Sequence, residues 1–314
     1  MNEPVRIAVV GAGNVGATFA YSLVLSGLAS EIVLIDADKA RAEGQAMDIE
    51  HSVQFNKPVR VWAGDYSDCK GALVTMVSAG AGQKPGETRL DLLKRNVDVF
   101  RDVIGQIATE NPEGIILVAT NPVDILAYAA YKISGLSRRR VFGSGTILDT
   151  ARFRTLLANH FEVDARSLHA YIIGEHGDSE VPVWSSANIG GVRLSDLGGE
   201  GWPRFEGEAM DDIFRRTRDA AYHIIERKGA TYYAVASGLL RIVEAIVRDQ
   251  STVLSTSSML TGQYGLTNVC LSLPSVINRR GVARVLELDL DTKERERLAH
   301  SASVLSASLE ALKL

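Results

Sequence analysis

A carboxylate and two arginines stand close together near the middle of the chain, within the seven residues from Leu148 to Arg154. On a helix, Asp149 and Arg152 would share one face because they lie three positions apart. Arg154 lies two positions after Arg152 and, at about 100° per residue, would point roughly to the opposite side. A guanidinium can bind a carboxylate or a phosphate through two parallel hydrogen bonds. The stretch therefore indicates either a helix that serves two sites or a solvated amphipathic helix.

A glycine-rich motif, GAGNVG at residues 11–16, follows the first apolar run of the chain. Gly11 would make a tight turn, Gly13 would let the backbone approach a pyrophosphate, and Gly16 would let the next helix pack closely on the strand. The helix N-terminus would supply the anion site. Asp36 ends the second apolar run, where a carboxylate accepts hydrogen bonds from ribose hydroxyls and repels a 2′-phosphate. The motif therefore predicts a dinucleotide site that prefers NAD to NADP.

Two further segments leave predicted strands on the same side of the sheet, residues 78–82 and residues 119–122. Ligands of open α/β sheets bind outside the carboxyl ends of the strands. The amide of Asn121 can both donate and accept, so it is suited to orient a ligand. Because Pro122 follows it, Asn121 could equally cap the next helix, and the two roles are compatible.

Short apolar runs alternate with helical patterns through the first half of the chain. The predicted strands are Val5–Val10, Ile32–Ile35, Val59–Trp62, Leu73–Val77, Ile115–Ala119 and Val141–Phe142. The predicted helices cover about 14–26, 39–47, 88–110 and 122–134. Continuous apolar strands separated by helices are typical of a buried parallel sheet. The first half therefore predicts a doubly wound α/β domain.

The second half has a different pattern, in which helices and strands are grouped. A helix is predicted from Ile147, and a mixed segment, His169–Ile173, leads into a glycine-containing loop. The remaining predicted elements are helices near 208–227, 234–248 and 292–312 and strands near 253–259, 268–273 and 282–288. The change in pattern predicts an N-terminal dinucleotide-binding domain, residues 1–145, and a substrate-binding α+β domain, residues 146–314.

Composition excludes several other classes of protein. The net charge of −4 offers no basic field for nucleic acid, and the run Arg138-Arg139-Arg140 is interpreted as a solvated helix end. No apolar stretch approaches the roughly 20 residues that span a bilayer, and no signal peptide is visible. Cys69 and Cys270 form neither a metal-ligand spacing nor a disulfide framework. We therefore expect a cytoplasmic protein without a metal site, with no nucleic-acid or membrane partner.

The order and content of the motifs resemble the lactate/malate dehydrogenase family, and its bacterial L-lactate dehydrogenase branch in particular, over nearly the full chain. The resemblance depends on residues 11–16, 82–90, 120–124, 148–154, 174–180 and 228–231. It implies a Rossmann-type NAD-binding domain followed by a substrate-binding domain, and a reversible hydride transfer between NADH and pyruvate that gives L-lactate.

The resemblance also implies the catalytic residues. His176 matches the histidine that donates a proton to the carbonyl oxygen and acts as general base in the reverse direction, a role suited to an ordinary pKa of about 6.5. Asp149 matches the carboxylate that pairs with this histidine and orients it. Arg152 matches the arginine that binds the substrate carboxylate. Arg89 matches an arginine on a mobile loop that polarises the carbonyl group.

Substrate choice is implied by two neutral residues. Gln83 stands where malate dehydrogenases carry an arginine for the second carboxylate of oxaloacetate, and burying that charge without a partner would be costly. Thr231 matches a residue that lines the small pocket for the substrate methyl group. Asn121 is included in the substrate site as well as the cofactor site. Lys84 is an argument in the other direction, because a cation next to Gln83 would attract a dicarboxylate. Its side chain is, however, expected to point away from the site.

The resemblance assigns a cofactor set and an effector set. The cofactor residues are Gly11, Gly13, Val15, Gly16, Asp36, Arg41, Tyr66, Gly80, Ala81, Ala119, Asn121 and Ser144. Arg154 and His169 match positions that bind fructose 1,6-bisphosphate at a subunit interface of allosteric relatives. The implied assembly is a homotetramer with this bisphosphate as its activator.

Three other functions remain as alternatives. Malate dehydrogenase, or another 2-hydroxy acid dehydrogenase, is the nearest, and Gln83 and Thr231 argue against it. An NAD-dependent glycosidase on a related fold would need a metal site, for which the sequence shows no cluster of ligands. A non-catalytic NAD-sensing module would have no need for His176, Asp149 and Arg152 together.

Overall fold

The computed structural model describes residues 4–82, 86, 88–199 and 201–313. A nine-stranded sheet forms its centre. Five of its strands lie side by side in parallel and come from the first half of the chain: β1 (Arg6–Val10), β2 (Glu31–Ile35), β3 (Arg60–Ala63), β4 (Val74–Val77) and β5 (Ile115–Val118). A sixth parallel strand, β6 (Val141–Gly143), pairs with β5.

The helices of this half lie between the strands. They are α1 (Asn14–Ser26), α2 (Lys39–Ser52), α3 (Arg89–Glu110) and α4 (Val123–Ser134). Parallel neighbours need such crossover connections, which place helices on the sheet faces. The order β6-β5-β4-β1-β2-β3 reverses direction beside β1, as in a doubly wound sheet. The predicted fold class is therefore confirmed.

The second half adds strands to the same sheet. These are β10 (Thr252–Thr261), β11 (Thr267–Asn278) and β12 (Gly281–Val285), which are antiparallel and end the sheet. One residue pair, Ser257 with Gly143, joins β10 to β6. The remaining elements are β7 (Leu168–Ile173), β8 (Val181–Ile189), β9 (Val192–Arg193), α5 (Ile147–Phe161), α6 (Gly207–Lys228), α7 (Tyr233–Val247) and α8 (Thr292–Leu312).

Alternate side chains of the strands pack on opposite faces of the sheet, so the core has two layers. In β1, Ala8 and Val10 pack into one buried cluster, whereas Ile7 and Val9 pack into the other. Successive side chains of a strand point to opposite faces, and both faces of this sheet are covered. A third apolar cluster fills the space between α5, the small sheet β7-β8-β9 and α6, with Phe153 at its centre. No helix of the described part is long and apolar enough to cross a bilayer.

Most predicted elements agree with the structure to within one or two residues, as α1 and α8 illustrate. Strands β8 and β9, which complete the small sheet, were not predicted from the sequence. The division into domains 1–145 and 146–314 stays a prediction.

Gly145 connects the parallel sheet to α5, and its backbone lies in the left-handed region at φ +57°. A Cβ atom there would lie 2.4 Å from the backbone nitrogen of Ser257 and 2.5 Å from the hydroxyl of Ser272. Gly135 has a similar φ of +64°, but a Cβ atom there would meet nothing within 4 Å. A substitution at Gly135 therefore has only the cost of a left-handed backbone, whereas one at Gly145 adds the cost of a steric clash.

We expect Gly145→Ala to lower the free energy of unfolding by at least about 3 kcal/mol, because a strained backbone and an overpacked contact add together. Gly135→Ala is the matched control and should cost only the left-handed penalty of about 1–2 kcal/mol. Urea unfolding followed by circular dichroism measures both. Equal losses for the two variants would contradict this account of Gly145.

Candidate active site

The imidazole of His176 contacts the carboxylate of Asp149. Nδ1 of His176 lies 2.5 Å from Oδ2 of Asp149. Asp149 lies in the first turn of α5, and His176 lies in the loop that connects β7 to β8. The Asp149 side chain is only 4% exposed, so its charge depends on protein partners for solvation.

Arg152 supplies a second cation to the same carboxylate. Its Nη1 donates to Oδ1 of Asp149 over 3.0 Å, and its side chain is 15% exposed. Asp149 and Arg152 therefore lie on one helix face, and the two oxygens of Asp149 hold an arginine and a histidine. This arrangement satisfies a buried carboxylate and fixes the orientation of both cations.

Buried hydroxyl groups fix the start of α5. The hydroxyl of Thr146 donates to the carbonyl of Ile172 over 2.6 Å and lies 2.7 Å from the hydroxyl of Ser255. Thr150 accepts a hydrogen bond from the backbone nitrogen of Ile172. The backbone nitrogen of Thr146 donates to Ser272. The helix turn that carries Asp149 is thus bonded to β7, β10 and β11.

Residues distant in sequence hold the His176 loop. The backbone nitrogen of His176 donates to Oδ2 of Asp124 over 2.7 Å, and the nitrogen of Glu175 donates to the hydroxyl of Ser301 in α8 over 2.8 Å. Further along, Oε1 of Glu294 accepts from the backbone nitrogens of Trp184 (2.7 Å) and of its neighbour in β8. Helix α4 and helix α8 therefore set the position of the histidine.

The pKa values of the buried pair move in opposite directions. Burial alone would lower the pKa of His176, but the charge and hydrogen bond of Asp149 outweigh it and raise the pKa to about 9. Burial would raise the pKa of Asp149, but His176 and Arg152 together lower it below its ordinary value. The imidazole is therefore protonated at neutral pH and Asp149 is ionised.

Two further carboxyl groups near His176 were missed by the sequence analysis. Asp124 is fully buried, and burial raises its pKa to about 6 against the hydrogen bonds that stabilise its charge. Glu180 is 6% exposed, and burial together with the charge of Asp149 raises its pKa to about 9. Its Oε1 has no hydrogen-bond partner among the described residues. Burial and the charge of Asp149 therefore disfavour the ionised form of Glu180, which limits the negative charge around His176.

A cavity of about 350 Å³ opens in front of the histidine. Its wall includes Asn121, Asp178 and Tyr222, and the Tyr222 hydroxyl donates to Oδ1 of Asp178 over 3.0 Å. The described residues of this wall do not include Arg152 or Thr231, and Thr231 lies half-buried between α6 and α7. The cavity is thus bounded by α3, α6 and the His176 loop.

Two of the sequence-predicted residues lie in a segment that the structure describes only in part. Gln83 lies outside the described residues. Helix α3 begins at Arg89, whose side chain is likewise not among the described ones. The roles of both side chains therefore stay predictions.

The glycine motif has the geometry that a dinucleotide needs. Gly11 adopts φ +103°, and a Cβ atom there would lie 2.5 Å from the backbone of Ala79. A Cβ atom at Gly16 would lie 1.8 Å from the carbonyl oxygen of Gly11, whereas one at Gly13 would meet nothing within 4 Å. The first and third glycines are therefore needed for packing, and the second leaves open space for a ligand, as a pyrophosphate requires.

Asp36 has a structural role in addition to the predicted one. Its Oδ2 accepts from the backbone nitrogen of Ala12 over 2.7 Å, and its Oδ1 accepts from the nitrogen of Asp38. The carboxylate thus connects the end of β2 to the glycine loop. A carboxylate oxygen can accept more than one hydrogen bond, so these contacts leave capacity for a ribose hydroxyl.

The other predicted cofactor residues follow the carboxyl ends of the strands. Ala81 donates to Asn96 over 2.7 Å, and Gly80 packs against Thr120. Ala119 and Ser144 follow β5 and β6. Tyr66 is half-buried and packs on the core, and Val15 and Arg41 lie in the first turns of α1 and α2. The role of these residues in binding the cofactor stays a prediction.

Arg154 extends away from this site. Its Nε donates to the carbonyl of Ala170 over 2.8 Å, and its guanidinium lies 4.8 Å from the ring centre of Tyr171. It lines a separate cavity of about 530 Å³ that also contains Arg241. His169 is exposed on β7. The two arginines of α5 therefore serve different surfaces.

Comparison with known proteins defines the class. Residues 5–143 match the lactate/malate dehydrogenase NAD-binding domain, and residues 146–313 match the lactate/malate dehydrogenase alpha/beta C-terminal domain. The chain belongs to the lactate/malate dehydrogenase family, so it is an NAD-dependent oxidoreductase. NAD is the cofactor, and the open space at Gly13 fits it.

Individual relatives cover almost the whole chain. It is 53% identical over 300 residues to an L-lactate dehydrogenase of Priestia megaterium, covering 96% of this chain and 94% of that protein. It is 52% identical over 307 residues to one of Thermoanaerobacter pseudethanolicus, covering 98% and 99%. A crystal structure of a lactate dehydrogenase from a Medee basin deep-sea metagenome library matches with a TM-score of 0.96 at 43% identity, covering 99% of each chain. The ligand-bound minor L-lactate dehydrogenase of Enterococcus mundtii matches with a TM-score of 0.94 at 39% identity, covering 98% of each.

We expect Asp149→Asn to lower the pKa of His176 from about 9 to the ordinary imidazole value of about 6.5 or below, because burial would then act without its main opposing charge. The protonated histidine would be lost as the pH rises through 6 to 7 rather than near 9. NMR titration of histidine-labelled protein measures this, with the His176→Gln variant identifying the signal. An unchanged titration in Asp149→Asn would contradict the assignment of the cause.

Proposed function

We propose that the chain is an L-lactate dehydrogenase that transfers hydride reversibly between NADH and pyruvate, with His176 as the proton donor and acceptor. The observation that supports this most strongly is the buried contact of 2.5 Å between His176 and Asp149, next to Arg152 and facing a cavity. The high identity to named L-lactate dehydrogenases supports the same conclusion.

The nicotinamide ring of NAD supplies the hydride donor or acceptor when it is bound. In pyruvate reduction, protonated His176 donates a proton to the developing alkoxide oxygen and keeps its hydrogen bond to Asp149. The raised pKa of about 9 keeps the proton on His176 through the neutral range, which favours reduction. Oxidation of lactate needs the neutral imidazole and should therefore be favoured at alkaline pH.

Arg152 is the proposed anchor for the substrate carboxylate. One of its donors is used by Asp149, and the guanidinium has further donors for a second carboxylate. Arg89 is the proposed residue that closes over the substrate and stabilises charge on the carbonyl oxygen. Thr231 is proposed to line the pocket for the methyl group, and Asn121 to orient the substrate from the cavity wall.

Substrate preference provides the test against malate dehydrogenase. We expect the protein to have a higher kcat/KM for pyruvate than for oxaloacetate, and Gln83→Arg to reverse the order by supplying a partner for the second carboxylate. Because one uncompensated buried charge costs several kcal/mol, the ratio should change by at least about a hundredfold. Steady-state kinetics with NADH measures both ratios.

Gln83→Lys is a useful comparison, because it adds the same charge without the bidentate fork and should change the ratio less than Gln83→Arg does. A wild-type protein that prefers oxaloacetate would contradict the proposed activity. An unchanged ratio in Gln83→Arg would contradict only the role of Gln83.

We also propose that the enzyme is a homotetramer activated by fructose 1,6-bisphosphate through Arg154 and His169. Arg154 faces a cavity separate from the one at His176, and α5 carries both Arg152 and Arg154. Guanidinium and protonated imidazole groups are suitable phosphate ligands. An effector that binds next to α5 could therefore act on the substrate anchor through one rigid helix.

Pyruvate saturation curves with and without fructose 1,6-bisphosphate test the activation. The bisphosphate is expected to lower the half-saturating pyruvate concentration in the wild type, and Arg154→Gln should abolish this response because one phosphate ligand is lost. Arg193→Gln, an exposed arginine of β9, is the control and should respond like the wild type. An unchanged half-saturation across pH and enzyme dilution would overturn the proposal.

A further inference from the structure

Two basic turns that are far apart in the sequence meet at one edge of the large sheet. The first turn, Arg138-Arg139-Arg140, precedes β6, and the second, Arg279-Arg280, joins β11 to β12. The backbone nitrogen of Val282 donates to the carbonyl oxygen of Arg139 over 2.8 Å. A Cβ atom at Gly281 would lie 2.0 Å from the same oxygen. The two turns are therefore in direct backbone contact, which brings their exposed arginines close together.

Three of these arginines and Arg284 of β12 surround two adjacent clefts; we call Arg138, Arg139, Arg280 and Arg284 the arginine edge. A cleft of about 360 Å³ is lined by Arg138, Arg139 and Arg284. A neighbouring cleft of about 480 Å³ is lined by Arg139, Arg280 and Arg284. Arg139 and Arg284 line both clefts, so the same two positive charges face both spaces.

Within the described part of the chain, no carboxylate forms an ion pair with any arginine of this edge. Elsewhere arginines commonly have such a partner: the adjacent Arg140 lies 2.6 Å from Glu113, and Arg248 lies 2.7 Å from Glu244. Asp249, which follows α7, contacts the second turn through its backbone: its carboxylate accepts from the backbone nitrogen of Arg279. Convergence of like charges without counter-charges is unfavourable and indicates a site for an external anion.

A buried hydroxyl points to the same conclusion independently. Ser258 lines the smaller cleft, is 1% exposed, and its Oγ has no hydrogen-bond partner among the described residues. A buried hydroxyl without a partner costs free energy, which a ligand oxygen in the cleft would recover. Thr261 and Gln263 supply further polar groups to the same wall.

We propose that the arginine edge binds a small anion that carries two adjacent phosphoryl groups. The guanidinium fork matches the geometry of phosphate oxygens, and two clefts that share Arg139 and Arg284 suit two linked phosphoryl groups. The volumes are those of small-molecule sites. The site lies on the outermost strand, β12, and involves neither the His176 cavity nor the cavity of Arg154.

Isothermal titration calorimetry with inorganic pyrophosphate tests the proposal. The titration is made at constant ionic strength and with saturating NADH, so that the dinucleotide crevice is occupied. We expect one site per chain, with an affinity for pyrophosphate at least about tenfold higher than for inorganic phosphate or sulfate, because only pyrophosphate can engage both clefts. Equal affinity for sulfate would show simple charge screening and overturn the proposal.

Matched double variants locate the site. Arg139→Gln with Arg284→Gln should weaken pyrophosphate binding by at least about tenfold, because both clefts lose their shared ligands. Arg101→Gln with Arg215→Gln removes the same charge from two exposed, ion-paired arginines and should bind like the wild type. Equal weakening in the two double variants would overturn the proposal.

Two further double variants distinguish the guanidinium fork from charge alone, and the arginine edge from the cavity of Arg154. Arg139→Lys with Arg284→Lys keeps the charge but loses the fork, and should still bind several times more weakly than the wild type. Arg154→Gln with His169→Gln removes the proposed effector ligands and should leave pyrophosphate binding unchanged. Wild-type binding by the lysine variant, or loss of binding in the Arg154 variant, would overturn the assignment.

Discussion

The buried charge of Asp149 is the constraint on which the active site depends. A carboxylate that is 4% exposed needs cations around it, and the protein provides His176 on one oxygen and Arg152 on the other. The same contacts keep the histidine protonated and aim the arginine. The position of the Asp149 carboxylate therefore determines the protonation state of His176 and the orientation of Arg152. Removing it would leave Arg152 without its ion-pair partner and would allow His176 to lose its proton near neutral pH.

The surroundings of the pair explain why it can stay in place. The first turn of α5 is bonded through Thr146 and Thr150 to the carbonyl and nitrogen of Ile172, and the histidine loop is bonded to Asp124. These are buried hydrogen bonds, which water does not compete for. Burial and the charge of Asp149 raise the pKa of Glu180, which disfavours a further negative charge there. The surroundings of His176 thus lower the pKa of one buried carboxyl group, Asp149, and raise that of another, Glu180.

The sequence predicted elements with strong local signals and missed those defined by distant contacts. Helix α8 has apolar periodicity and a capping box of Asp291 and Glu294, so its bounds were predictable. Strand β8 contains a proline and a run of small polar residues, and its burial comes from α8 and the small sheet, which no local pattern reveals. Glu180 has no local signal in the sequence, because the charges that act on it come from Asp149 and Arg152 of α5. The polar run Ser255–Ser258 likewise lies in the buried centre of β10, where tertiary contacts override composition.

Glu294 and Ser301 have a consequence for the order in which the protein matures during synthesis. The glycine loop and the six parallel strands come from residues before about 145, so they are translated well before α8. The histidine loop and β8 donate hydrogen bonds to Ser301 and Glu294 of α8, which follow them by more than 100 residues. A nascent chain can therefore contain its complete glycine loop and parallel strands while the loop of His176 still lacks the hydrogen bonds to α8 that hold it.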